Sequence, residues 1–127
     1  MRRVPHYIGG REVQGSEGTE LPVYNPASGE KTGVVIAATA EIVNAAVTAA
    51  LNASGEWAAT TPLRRARVMA RFRELIEANA SELAAIITSE HGKVHSDALG
   101  EVTRGLEVVE FACGGPHLLQ EIGRAHV

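Results

Sequence analysis

"TPLRRARVMARFRELIEANASELAAIITSEHGK" runs from Thr61 to Lys93. Its reading decides the fold, because helix punctuation falls at three places in it. Thr61-Pro62 sets a side-chain acceptor at an N-cap and a proline in the first turn, where the missing N–H costs nothing. Met69, Phe72, Leu75 and Ile76 then form an apolar stripe at helical spacing. Arg64, Arg65, Arg67, Arg71 and Arg73 occupy the other side. "NASE" (Asn79 to Glu82) has the spacing of a capping box and restarts the chain as a further helix. Leu83, Ile86 and Ile87 are expected to face inward, and Gly92 is placed to end that helix.

The pattern extends in both directions. Downstream, a helix is expected from about Val94 to Ala112, with Val102, Leu106, Val109 and Cys113 along one face. Gly114-Gly115-Pro116 reads as its stop. Upstream, Thr39 caps a helix from about Ala40 to Ala53. Val43, Ala46, Val47, Ala50 and Leu51 share its apolar face, and Gly55 is expected to end it. The first 37 residues read as strands and turns. "HYIGG" and "REVQ" flank Gly9-Gly10, a doublet suited to a tight hairpin. "LPVYNPASGEKTGVVIAA" reads as strand, turn, strand. The expected organisation is an N-terminal β-hairpin region followed by about four α-helices. These helices are rich in alanine and poor in aromatics. A chain of this size buries only about two-thirds of its surface, so such helices are expected to lie against something larger.

Composition narrows the function. The chain has 127 residues, a size that suits one domain, and a net charge of -3. With a pI of about 5.9, no nucleic-acid surface is suggested. No run of about 18 apolar residues is present to span a membrane. No secretory signal is visible, since Arg2-Arg3 is followed by Pro5 and His6 and not by an apolar run. The single cysteine excludes an internal disulfide and fits a cytoplasmic protein.

Candidate chemical groups are few. Cys113 lies at a helix C-terminus, where the field opposes a thiolate, and reads as a small apolar residue rather than a nucleophile. His91 and His95 are four apart, but Gly92 interrupts the helix between them, so no metal site is expected. The glycines make neither G-x-G-x-x-G nor a P-loop, so no cofactor-binding residue is assigned. The arginine-rich helix is interrupted by Glu74 and Glu77 and reads as a solvated face. Arg104 has Glu101 three residues before it and Glu107 three after. It is either one rung of an exposed ion-pair ladder or a carboxylate clamp. The residues alone favour the ladder.

"YIGG", "YNPASGE", "WAATTPLRRARVMARFRELIEANASELAAIITSEHGK" and "DALGEVTRGLEVVEFACGGPHLL" together resemble the N-terminal part of the aldehyde dehydrogenase superfamily, an α/β fold. "GEVTRGLEVVEFAC" with "PHLL" is most similar to its CoA-acylating methylmalonate-semialdehyde dehydrogenase branch. Gly115 departs from that pattern, where an aliphatic residue is expected. The resemblance implies an NAD-dependent parent enzyme, with CoA as co-substrate and a small semialdehyde as substrate, working as a homo-oligomer. In it a cysteine thiolate attacks the aldehyde, hydride passes to NAD, and the acyl group leaves on CoA with loss of carbon dioxide. That cysteine, the acidic base and the NAD-binding core lie downstream of the matched region. The chain is therefore expected to be a fragment, inactive alone and binding no cofactor, with substrate-binding Arg104 as its contribution. The alternative is a complete small non-catalytic helical interaction module. The resemblance covers about Val4 to Leu119, and residues 1–119 are expected to form the N-terminal part of an incomplete aldehyde dehydrogenase domain. "EIGRAHV" (Glu121 to Val127) is encodable by GAGATCGGAAGAGCACACGTC, which contains a common sequencing-adapter string. Residues 120–127 are accordingly expected to be a non-native tail.

Overall fold

A computed structural model describes the backbone of residues 1–124 and the side chains of residues 1–119. The expected tail, 120–127, has its side chains outside the described residues. The chain divides into two compact units, Met1–Ala59 and Thr60–Val127.

The first unit holds five strands and one helix. β1 (Arg2–Val4), β4 (Glu20–Tyr24) and β5 (Lys31–Ile36) form a sheet in the order β1-β5-β4. β4 and β5 are antiparallel, with Leu21 opposite Val35, whereas β1 runs parallel to β5, with Arg3 opposite Val34. β2 (His6–Ile8) and β3 (Arg11–Val13) make the hairpin read from the sequence. Gly9 and Gly10 carry φ of 60° and 79°, the paired positive values of a two-residue turn that matches strand twist. The β4–β5 turn is built by Asn25, whose Oδ1 accepts from the Ala27 N–H at 2.9 Å. β1 was not foreseen, because Arg2-Arg3 carries no apolar alternation. Gly33 permits it: a Cβ there would sit 2.8 Å from the Arg2 carbonyl oxygen.

α1 spans Ala40–Ala59, longer than expected. Thr39 caps it, its Oγ1 accepting from the Ile42 N–H at 3.4 Å. Gly55 does not end it, since a helical glycine costs only about 1 kcal/mol against alanine. The end comes where Thr61, held extended at ψ 149° before Pro62, leaves the helical region. The buried side also differs from expectation. Ile42, Ala46 and Ala49 are half-buried, while Val43, Val47 and Leu51 are exposed. Ile42, Ala45 and Ala49 share a groove with Ile8, Gly9, Arg11 and Val13 of the hairpin.

The second unit is helical: α2 (Pro62–Ala78), α3 (Ala80–His91), α4 (His95–Cys113) and α5 (Gly115–Arg124). Thr61 caps α2, accepting from the Arg64 N–H. Asn79 forms no capping box with α3, because its Nδ2 is committed to the Leu75 carbonyl at 2.7 Å and finishes α2 instead. Gly92 does end α3, at φ 83° with its N–H on the Thr88 carbonyl. Gly114 breaks α4, but Pro116 falls in the first turn of α5. The residue read as a stop also starts a helix, so the described residues form five helices where about four were expected.

The core of this unit is Ala84, Ala98 and Val102, with Ile76, Ala80, Leu83, Ile87 and Leu99 packed against it. Val102, Leu106, Val109 and Cys113 face inward as expected. Met69 and Ile76 are half-buried, but Phe72, Leu75 and Ile86 are exposed and line a groove between α2 and α3. Replacing Ala84 by leucine forces the bulk of about three extra heavy atoms into the α3–α4 contact and is expected to cost about 1–3 kcal/mol. Circular dichroism of Ala84→Leu should therefore show reduced helical content against Ala85→Leu, its exposed neighbour. Equal spectra would contradict this packing.

Candidate functional site

The turn between α3 and α4 brings Lys93, Glu101 and Arg104 near one another. Gly92 reverses the chain, and Lys93 follows it directly. The Lys93 side chain is 20% exposed, and its Nζ lies 2.5 Å from Glu101 Oε1, two turns into α4. Arg104 stands one turn beyond Glu101. Its Nη2 is 4.0 Å from the same Oε1, at the limit of an ion pair, and its side chain is 70% exposed. Its Nη1 lies above Gly100, 3.8 Å from where a Cβ would stand.

Glu101 is thus held by Lys93 and only brushed by Arg104. The hydrogen bond from Lys93 pulls the Glu101 carboxyl below its usual range. Burial opposes that shift, while the charges of Lys93, His91 and Arg104 add to it. Arg104 has no other ion pair among the described residues, so the ladder through Glu107 does not form. A guanidinium in this state keeps most of its planar donor fork free for a carboxylate.

The other candidates take structural positions. Arg73 joins α2 to α4: its Nε donates to Glu110 Oε1 at 2.7 Å, and its Nη1 lies 3.5 Å from Glu77. Glu110, then Glu77, hold its guanidinium more firmly protonated than usual. Arg71 pairs with Glu74 at 2.8 Å. Cys113 is the half-buried last residue of α4. His91 ends α3 and His95 begins α4, so the two do not share one helix, and His95 Nε2 faces the Ser81 carbonyl at 3.2 Å. Among the described residues no group of three or more potential metal ligands comes together.

Sequence reasoning assigned Lys93 no role. Its partner lies eight residues on, across a reversal of the chain, and no helical spacing rule reaches that far.

Among the described residues no glycine-rich dinucleotide cradle forms either. The positive-φ glycines sit in strand turns, in the loop before β4, or at the C-cap of α3. Among the described residues the strand-to-helix passage, from Ile36 through Thr39, contains no glycine. A pyrophosphate needs a glycine-rich turn opening a helix N-terminus, and the described residues do not fit one.

Residues 13–125 match the profile of the aldehyde dehydrogenase family. The chain belongs to that family. It is 43% identical over 118 residues to malonate-semialdehyde dehydrogenase 3 of Geobacillus kaustophilus, covering 93% of this chain and 24% of that protein. It is 44% identical over 116 residues to malonate-semialdehyde dehydrogenase 2 of Bacillus anthracis, covering 91% of this chain and 24% of that one. Among solved structures, a protein from Sinorhizobium meliloti 1021 assigned as methylmalonate-semialdehyde dehydrogenase and complexed with NAD superposes with a TM-score of 0.90. It is 46% identical, over 93% of this chain and 24% of that one. The chain therefore spans about a quarter of the length of the relatives it matches.

The Lys93–Glu101 contact has a pH signature. A carboxyl held below its usual range stabilises the fold at pH values above that range, and the contribution disappears as pH falls through the depressed value. Carbon-detected NMR should place the Glu101 midpoint below 4.5 and move it up in Lys93→Met. An unchanged midpoint in that variant would remove Lys93 as the cause.

Proposed function

We propose that this chain is the N-terminal part of an NAD-dependent, CoA-acylating dehydrogenase of malonate or methylmalonate semialdehyde, and that Arg104 receives the substrate's carboxylate. The observation that carries the proposal is the free fork of Arg104, left open because Glu101 is engaged elsewhere. Both semialdehydes bear a carboxylate that simple aldehydes lack. A guanidinium is always charged and meets a carboxylate with two parallel hydrogen bonds, which the point charge of lysine does not reproduce. The relatives named for malonate semialdehyde support this choice of substrate.

NAD, CoA, homo-oligomeric assembly and cytoplasmic location belong in this reading to the complete enzyme. In this reading the chain's own part is recognition and packing. Its exposed apolar side chains support the view that more protein covers it. Val43, Val47 and Leu51 in the first unit, and Phe72, Leu75, Ile86, Val108 and Phe111 in the second, are all at least 45% exposed, apolar side chains of the kind that a further protein surface covers.

Two outcomes follow. The isolated chain should form no NADH from malonate semialdehyde and CoA, and should melt without a sharp cooperative transition. Turnover, or a two-state melt in a monodisperse monomer, would favour an independent module instead.

The Arg104 assignment is tested in a chimera in which residues 4–119 replace the matched quarter of the Sinorhizobium meliloti protein. Arg104→Leu should lower kcat/KM for malonate semialdehyde roughly 10- to 100-fold, about 1.5–3 kcal/mol for a lost charge-assisted contact. Propanal, with no carboxylate, should be largely spared. Equal loss on both substrates, or none on either, would return Arg104 to the surface.

A further inference from the structure

Arg104 has a carboxylate of its own chain within reach, and the structure shows what restrains it. Glu101 lies three residues before Arg104 on α4, the spacing at which such pairs meet on a helix surface. Left alone, Glu101 would close on the guanidinium and occupy the fork. It does not, because Lys93 reaches across the α3–α4 turn and takes the Oε1 atom at 2.5 Å, against 4.0 Å for Arg104. Lys93 is the better-placed partner. Its side chain is mostly buried, so its ammonium has little rotamer freedom to lose. Arg104 is mostly exposed and would lose a good deal of freedom on folding back.

We infer that Lys93 is a positioning residue for substrate recognition: by holding Glu101 it keeps the Arg104 fork open for a carboxylated substrate. Lys93 does not touch the substrate. It acts by removing an internal competitor. The αL turn at Gly92 is part of the device, since it delivers Lys93 back over the second turn of α4. The depressed Glu101 carboxyl agrees with this, as its largest cause is Lys93 and Arg104 is the smallest.

This inference rests on the Arg104 reading given above, and the experiment separates the two. The same chimera carries Lys93→Met, which keeps the apolar stem and deletes the charge. Glu101 then swings to Arg104 and competes with substrate. An exposed ion pair of this kind is weak, so KM for malonate semialdehyde should rise about two- to fivefold with kcat little changed. KM for propanal should not move. Lys93→Met combined with Glu101→Gln should restore the original KM for malonate semialdehyde, because the neutral amide no longer competes. A merely structural lysine would not be rescued in this way. If Arg104→Leu discriminates between the substrates but Lys93→Met does not, or if Glu101→Gln fails to rescue it, the positioning role is overturned while the Arg104 reading stands. If Arg104→Leu does not discriminate, both fall. A rise in KM for both substrates in Lys93→Met would mark general damage to the α3–α4 turn and also overturn the proposal.

Discussion

The close approach of α3 to α4 at Ala84 and Ala98 organises the second unit. Both side chains are fully buried, and neither extends beyond Cβ. Only residues this small let two helices joined by a three-residue turn pack so near one another. That approach sets the core, with Val102 one turn further along α4, and it fixes where the turn's side chains fall. Lys93 meets Glu101 because the helices are close. Arg104 stands 4.0 Å from the same carboxylate oxygen. The site thus depends on alanines that carry no chemistry.

The same thin core explains why so much apolar surface remains exposed. Among the described residues, Val34, Ala84, Ala98 and Val102 are the buried apolar ones. Burial of such small groups contributes little, since stabilisation scales with apolar area removed from water. Conformational entropy opposes folding at about 1–2 kcal/mol per ordered residue. Helices that hold together through so few buried atoms gain much of their stability from what lies against their outer faces. For α1 that face is Val43, Val47 and Leu51, and for α2 and α3 it is Phe72, Leu75 and Ile86.

Helix starts were legible wherever a backbone constraint set them. Thr39 and Thr61 cap as read, and Gly92 stops α3 because only an αL residue fits there. Stops were less legible. Gly55 is tolerated inside α1, and Pro116 opens α5 in addition to following α4. Which side of a helix is buried was the least legible feature. Val43, Val47 and Leu51 form a sound apolar stripe, yet Ile42, Ala46 and Ala49 are the residues half-buried in this chain. Periodicity reports that a face is apolar, not what meets it. At the site, the Lys93–Glu101 pair was not legible, because it depends on a chain reversal and not on spacing along a helix.

In the proposed reading Arg104 presents an open fork to a carboxylate while Glu101 stays with Lys93. A crystal structure of the chimera soaked with malonate, an unreactive carboxylate analogue of the semialdehyde, tests this directly. The predicted result is a malonate carboxylate bridging two guanidinium nitrogens of Arg104 at about 2.7–2.9 Å, with Glu101 still on Lys93. Malonate bound away from Arg104, with the guanidinium folded onto Glu101, would contradict it.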